Sequence, residues 1–305
     1  MPSTNCFRSS LCKLQKLIED VSDYLCTGQM AELRKTPFWD LFDAFIKKKI
    51  SPEHLVKSKS SIFYVMGTYQ PRAKAFLIEG KETRFTAEDV KSIFGISDGD
   101  RAIELASCAV RRTKSPFVRR RFRGFKSLTQ SAIREALIRV AKGRTREDFE
   151  DFARLLCLYA LATVFFATSG SFVSRFHSSL VDDLESIKDF SWSKAIHGRI
   201  MKSIAKSWRD PAKVTGGLIA LLYWFCEKAH IMSPINRKAR PVFLKWSLSE
   251  LGRALKQQQK QPALLQCKGE KVVFSNTDAD IGNEAEGEGE NGPSLEKATL
   301  SPADT

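Results

Sequence analysis

One long apolar stretch, interrupted only by Arg154, limits the folds that are open to this chain. It runs from Phe152 to Phe166 and reads FARLLCLYALATVFF. A membrane-spanning helix needs about 20 apolar residues, whereas this stretch holds 15 residues and includes Arg154. We therefore expect a helix that is buried in a protein core and that begins at Thr145, with Asp148 as its capping partner.

Apolar residues recur at helical spacing elsewhere in the chain. Intervals of three and four residues place side chains on one face of a helix, and 43% hydrophobic residues are enough for a sizeable core. The sequence predicts a mainly α, helical globular domain that starts with two amphipathic helices before residue 50. The recurring sets are Leu14, Leu17, Ile18, Val21 and Leu25; Phe38, Leu41, Phe42 and Phe45; and Ile133, Leu137 and Val140.

The stretch from Phe76 to Asp100 combines a hairpin signal with a helix signal. An apolar run, a turn candidate at residues 79–82 and a return to extended character predict a small β-hairpin near residues 76–86. Thr86 is placed to cap the helix that follows, and Gly95 is placed to end it. The apolar face of this helix is expected to pack against the 152–166 run; it consists of Val90, Ile93 and Phe94.

Three blocks of sequence occur in an order that resembles a known plant family. They read KSKSSIFYVMGTYQPRAKAFLIEGKETRFTAEDVKSIFGISDGD at residues 57–100, LVDDLESIKDFSWSKAIHGRIMKSIAK at 180–206 and VTGGLIALLYWFCEKAHI at 214–231. This text is similar to the plant mobile domain and to the related domain of unknown function in transposon-encoded proteins of the SUMO-protease class. The resemblance covers roughly residues 51–231. Gly216 and Gly217, which lead the third block, are expected to allow close approach of a neighbouring backbone.

The resemblance implies a non-catalytic binding or scaffold module in the nucleus, derived from a plant transposable element. The family has no established catalytic residue or cofactor that could be carried over to this chain. A polar tail follows Cys267, so we expect no cysteine protease domain after it. An inactive transposon remnant without selected activity is the alternative, and protein partners stay unknown.

The charge is divided unequally along the chain. Residues 276–305 contain eight acids and one base, so the first 275 residues carry a formal charge of +21, against +14 for the whole chain. A basic body favours polyanionic partners, and an acidic tail can compete for the same surface. We expect three regions: N-terminal amphipathic helices at 1–50, a helical core at 51–261 and a disordered acidic tail at 262–305.

The densest charge is a basic connector at residues 111–126 that contains no acid. Arginine forks bind phosphates and phenylalanine rings stack on unpaired bases, so one expectation is single-stranded nucleic acid or RNA. A nuclear import carrier that reads an exposed basic peptide is a second possibility. A loop whose phenylalanines dock onto the core is the third. The candidate residues, interleaved with Phe117, are Arg111, Arg112, Lys114, Arg119, Arg120, Arg121, Phe122, Arg123, Phe125 and Lys126.

Metal and thiol chemistry have little support in the sequence. The seven cysteines show no C-x-x-C spacing, and Cys157 and Cys226 lie in apolar runs typical of buried thiols. Asp182, Asp183 and Glu185 are the acids that a metal-dependent nuclease would require, but their neighbours Ser178 and Ser179 suggest a helix start instead. We expect no metal site, no cofactor and no membrane span.

Overall fold

The computed structural model describes residues 9–103, 116–125, 127–168, 170 and 172–260. These residues all belong to one compact unit, Met1–Leu265. Four residues of the basic connector, Arg111, Arg112, Lys114 and Lys126, lie outside the described residues, as does the acidic tail at 262–305.

The fold is mainly α with one small sheet, as the apolar spacing predicted. The π-helical turn Leu161–Phe165 continues the eighth helix, and short 3-10 turns join several others. The α-helices in the described residues are α1 (Leu11–Val21), α2 (Thr27–Arg34), α3 (Trp39–Ile46), α4 (Lys59–Gly67), α5 (Ala87–Phe94), α6 (Pro116–Arg121), α7 (Gln130–Ala141), α8 (Arg146–Ala160), α9 (Arg175–Leu180), α10 (Trp192–Ser207), α11 (Ile219–Lys228) and α12 (Leu248–Lys260).

The predicted hairpin is present and has a third strand. Strands β1 (Tyr69–Gln70), β2 (Ala75–Ile78) and β3 (Lys81–Thr83) form an antiparallel sheet in that order. The β2–β3 turn places Glu79 and Gly80 at positive φ, a conformation that suits a two-residue hairpin turn.

The apolar run at 152–166 forms the centre of the core, as predicted. Helix α8 starts with a capping box in which Thr145 and Asp148 bond each other's backbone N–H groups, and α7 is a main packing neighbour of α8. No helix in the described part of the chain is long and apolar enough to cross a membrane.

Helix α5 lies where the sequence predicted and packs as predicted at Phe94. Thr86 and Asp89 form its capping box, and Gly95 ends it in the left-handed conformation. The Phe94 ring meets the Phe165 ring edge to face, with centroids 5.2 Å apart. Helix α5 also packs on α10, so the helix is held from two directions.

The glycine pair before α11 makes the predicted close approach. A Cβ at Gly217 would lie 3.2 Å from the carbonyl oxygen of Phe165 and 3.3 Å from that of Val164. Gly216 has a φ of +98°, which favours glycine. The chain therefore enters α11 directly against the backbone of the π-helical turn.

Several predicted helix boundaries were wrong. Residues 9–50 form three α-helices instead of two, because a 3-10 turn at Ser22–Tyr24 separates α1 from α2. Helix α9 is capped by Ser174, so Ser178 and Ser179 lie in its last turn and do not start a helix. A further helix is predicted from Phe243 to Gln261, but α12 begins at Leu248, since residues 242–245 form a 3-10 turn.

The half-buried imidazole of His177 lies in surroundings that disfavour its protonation. Its ring stacks on Phe166 with centroids 5.1 Å apart, and its Nδ1 atom is buried without a hydrogen-bond partner in the described residues. Burial, together with the nearby charge of Arg199, lowers the pKa of His177 to about 4. An unfolded histidine titrates near pH 6.5, so protonation between about 6.5 and 4 favours the unfolded chain.

We expect stability to decrease as the pH falls from about 6.5 to about 4, by up to roughly 3 kcal/mol from this group. Urea unfolding of the parent and of His177→Gln at a series of pH values measures the effect. The variant should show a smaller dependence on pH than the parent. An unchanged dependence in His177→Gln would show that other groups cause the acid sensitivity.

Candidate nucleic-acid interface

The described part of the basic connector is folded onto α8. Helix α6 carries Arg119, Arg120 and Arg121 in its last turn, and the chain continues through Phe122 to Phe125. Its arginines do not share one environment: Arg119 and Arg123 are exposed, whereas Arg121 is partly covered.

A buried carboxylate relieves the repulsion within the arginine cluster. Asp151 of α8 is 0% exposed and accepts from Arg120 Nε and Nη2 at 2.8 and 2.9 Å. It also accepts from Arg121 Nε at 2.6 Å and from Arg154 Nη1 at 2.7 Å. We call Asp151 with these three arginines the carboxylate clamp. The geometry assigns Arg120 and Arg121 to holding α6 on α8.

Two more acids of α8 complete the pairing. Arg121 Nη2 donates to Asp148 at 2.8 Å, and Arg120 lies 3.1 Å from the exposed Glu147. Although burial opposes it, hydrogen bonding to Thr145 and the pairing with Arg121 hold the pKa of Asp148 below its ordinary value. Both arginine forks are thus occupied by protein carboxylates.

The phenylalanines of the connector point mainly inward, which corrects the stacking hypothesis at Phe122. Phe117 and Phe122 are 2% and 7% exposed, and their rings meet edge to face at 6.0 Å. Neither ring can offer a free face to a base. Phe125 is only partly buried, and the guanidinium carbon of Arg139 lies 5.5 Å from its ring centroid.

Tertiary structure brings the exposed aromatic residue Phe172 to this region. This residue is not among those that the sequence predicted for the interface. Phe172 is 69% exposed and forms a bridge with Thr129, while Val173 N donates to Leu128 O at 2.8 Å. Residues 172–173 therefore lie beside the chain that leaves Phe125. No local pattern signals this exposure, because Phe172 is one aromatic residue after a polar turn.

Arg139 lies in the last turn of α7, roughly 15 Å along the helix from Thr129, so Phe172 and Arg139 mark the two ends of one helix. We call the exposed and half-buried basic and aromatic groups along α7 and the connector the aromatic-basic edge. It consists of Arg123, Phe125, Arg139 and Phe172. Three of the four residues come from the connector and α7, and the fourth comes from the segment before α9. The edge combines guanidinium groups, which bind phosphates, with rings that can stack on bases.

A cleft next to the carboxylate clamp has a different character. Its volume is about 480 Å³, and its wall alternates arginines with acids. Mixed charge of this kind does not favour a polyanion. The lining residues are Pro116, Phe117, Arg120, Arg146, Glu147, Glu150, Arg154 and Asp182.

Of the acids considered for a nuclease, Asp183 uses its carboxylate in local structure, and Asp182 is held through its backbone. The carboxylate of Asp183 accepts from the backbone N–H groups of Glu185 and Ser186, and the carbonyl oxygen of Asp182 accepts from Arg154 Nε at 2.9 Å. Within the described ranges, no group of three or more His, Cys, Asp or Glu residues is arranged to hold a metal ion.

The thiols of the apolar helices are buried, as predicted. Burial raises the pKa of Cys157 to about 12 and raises that of Cys226 as well. His230, one helical turn beyond Cys226, lies after the end of α11 and pairs with Glu79 at 3.1 Å. These groups lack the features of an activated nucleophile.

Comparison with known proteins finds one family. The family model described as Domain of unknown function (DUF8566) matches residues 7–223, more than half of the chain. The match includes α1 to α10, the carboxylate clamp and the aromatic-basic edge. Neither a search of curated proteins nor a search of solved structures finds a match.

Proposed function

This chain belongs to the family Domain of unknown function (DUF8566), and we propose that it is a non-catalytic nuclear module that binds single-stranded nucleic acid through the aromatic-basic edge. The exposure of Phe172 beside the basic connector carries this proposal. A nuclear location and descent from a plant transposable element rest on the three sequence blocks that resemble the plant mobile domain.

The chemistry of the edge suits an unpaired strand. Phe172 presents a ring that a base can cover, and each such contact contributes about 1–3 kcal/mol. Arg139 lies over Phe125 and, with the exposed Arg123, supplies charge for phosphates further along the same strand, roughly 15 Å from a base stacked on Phe172. In a duplex the base faces are already covered by neighbouring pairs, so the ring favours single strands.

The experiment compares two double variants of the full chain. Phe172→Ala with Arg123→Gln alters the edge, whereas Val56→Ala with Arg146→Gln removes one exposed apolar side chain and one exposed arginine elsewhere. Binding to a fluorescent mixed-sequence single strand is measured by anisotropy. We expect the edge variant to lose at least about fivefold in affinity, the equivalent of one weak stacking contact, and the control to match the parent.

Phe172→Tyr separates stacking from surface apolarity, because it keeps an aromatic face. It should bind as the parent does, while Phe172→Leu should bind as weakly as Phe172→Ala. Equal affinity of parent and Phe172→Ala would contradict the proposed function. Exclusion of a fluorescently tagged full chain from plant nuclei would contradict the nuclear part of it.

A further inference from the structure

Helix α10 exposes a row of lysines along one face. Its exposed positions are Lys194, Gly198, Lys202, Ala205 and Lys206, and the helix contains no acidic residue. From this face we propose a second polyanion site, in which Lys194, Lys202 and Lys206 contact the phosphate backbone of a nucleic acid. We call these three residues the lysine row; the site does not include the aromatic-basic edge.

The lysine row lacks carboxylate partners in the described residues. No residue of the row forms an ion pair with a carboxylate in the part of the chain that the structure describes. Lys202 and Lys206 are one helical turn apart, a spacing at which like charges destabilise a helix. The carboxylate clamp shows the opposite arrangement, since Arg120 and Arg121 are both paired with Asp151. An anionic ligand would relieve the repulsion that remains in the row.

The helix that carries the row is fixed along its length. At its start the indole of Trp192 donates to Ile187 O at 2.7 Å, and Asp98 accepts from Ser193 N at 2.8 Å. Near its end Ser203 Oγ accepts from Thr215 N at 2.8 Å. The opposite face is buried through Ile196, Ile200 and Ile204. The lysines are therefore carried by a rigid helix, which lowers the entropic cost of binding on the protein side.

Small residues between the lysines leave room for a strand. A Cβ at Gly198 would have no neighbour within 4 Å, and Ala205 presents only a methyl group. An extended phosphate backbone can therefore approach the helix surface between the lysines without meeting a large side chain.

The same face argues against a membrane. Helices that lie in a bilayer interface bury a face of Trp, Phe or Leu beneath their basic residues. The apolar face of α10 is instead buried in the protein core through Ile196, Ile200 and Ile204. The exposed lysines thus have no apolar partner face to insert into lipid.

Lysine also determines what kind of binding results. Its ammonium group is a strongly hydrated point charge on a flexible stem and lacks the rigid, planar fork of arginine. The row therefore contacts phosphates without reading bases. Affinity should be independent of sequence and should fall steeply with salt, because each neutralised phosphate releases condensed counterions.

The test compares three variants of the full chain. In the row variant Lys194, Lys202 and Lys206 are changed to glutamine; in the charge control Lys13, Lys16 and Lys48, which are exposed on or near other helices, are changed to glutamine. In the rescue variant the three row residues are changed to arginine. All are titrated with a mixed-sequence single strand, with its duplex, and with phosphatidylcholine vesicles containing phosphatidylserine, over a range of salt concentrations.

We expect the row variant to bind nucleic acid at least about tenfold more weakly, with a log–log salt slope smaller by about 2 to 3, or close to one per lost phosphate contact. The charge control should keep the parent's slope, and the rescue variant should restore affinity. The melting temperature should not fall, since removing exposed like charges does not expose the core and relieves repulsion within α10.

Two results would overturn the site. One is an equal loss of nucleic-acid affinity in the row variant and in the charge control, which would show that net charge alone causes the effect. The other is vesicle binding that depends on the row while nucleic-acid binding does not, which would assign the lysines to lipid headgroups. Failure of the proposed function at Phe172 can be distinguished from failure of the lysine-row site. The variants of the aromatic-basic edge keep all three lysines of the row.

Discussion

Replacing Asp151 with asparagine is expected to lower the free energy of unfolding by roughly 3–5 kcal/mol, the range for breaking a buried ion pair on one side. Asparagine keeps the size of the side chain but removes the negative charge. Arg120, Arg121 and Arg154 would then lie together around a neutral group that is itself fully buried. Urea denaturation of the full chain measures the loss.

Glu147→Gln is the matched control for this prediction. Glu147 pairs with the same Arg120, but its side chain is 57% exposed, and exposed ion pairs contribute at most about 1 kcal/mol. A similar small loss of unfolding free energy in both variants would mean that solvent or neighbouring acids can replace Asp151 as the partner of the arginines. The structure predicts a clear difference between the two carboxylates.

The structural role of Asp151 and its arginines affects the choice of variants for testing nucleic-acid binding by the basic connector. Substitution of Arg120 or Arg121 removes a support of α6, so weaker binding in such variants would combine unfolding with loss of contact. Arg123 lies outside the carboxylate clamp and is exposed. It is therefore the suitable arginine for measuring a direct contact.

Replacing Phe94 with alanine should destabilise the protein by about 3–5 kcal/mol, the range for truncating a buried aromatic ring. Phe94 is fully buried, and its ring joins α5 to Phe165 of the π-helical turn. Truncation would leave a cavity at the junction of α5, α10 and the central apolar run. Thermal melting and urea denaturation should both report the loss.

Phe172→Ala provides the control, because it deletes the same ring from an exposed position. That variant should unfold within about 0.5 kcal/mol of the parent, as surface substitutions usually do. Equal stability of Phe94→Ala and the parent would remove Phe94 from the core. The two phenylalanines thus separate the role of an aromatic ring in folding from its proposed role in binding.

The features that the sequence predicted correctly depend mainly on interactions between residues that are close together in the chain. The capping boxes of Thr86 with Asp89 and of Thr145 with Asp148 join residues three positions apart. The hairpin likewise depends on a short turn, and burial of the 152–166 run follows from its composition. Each of these features is decided by interactions within one element or between adjacent ones, so the order of residues is sufficient to predict it.

The proposed binding surfaces differ in how far the sequence determines them. The lysine row has a sequence signal, since residues 192–207 contain four bases and no acid, and helical spacing places Lys194, Lys202 and Lys206 on one side. Only the packing of α10 shows that this side is exposed. The burial of the isoleucines on the other face depends on the elements that cover it.

Tertiary structure alone decided which side chains of the basic connector are paired or buried. Its sequence contains no acid, yet Asp151 reaches Arg120 and Arg121 from about 30 residues later in the chain. Phe122 is buried whereas Phe172 is exposed, although both are phenylalanines near polar residues. Charge pairing and exposure depend on which distant elements come together, and residue spacing within one segment does not contain that information.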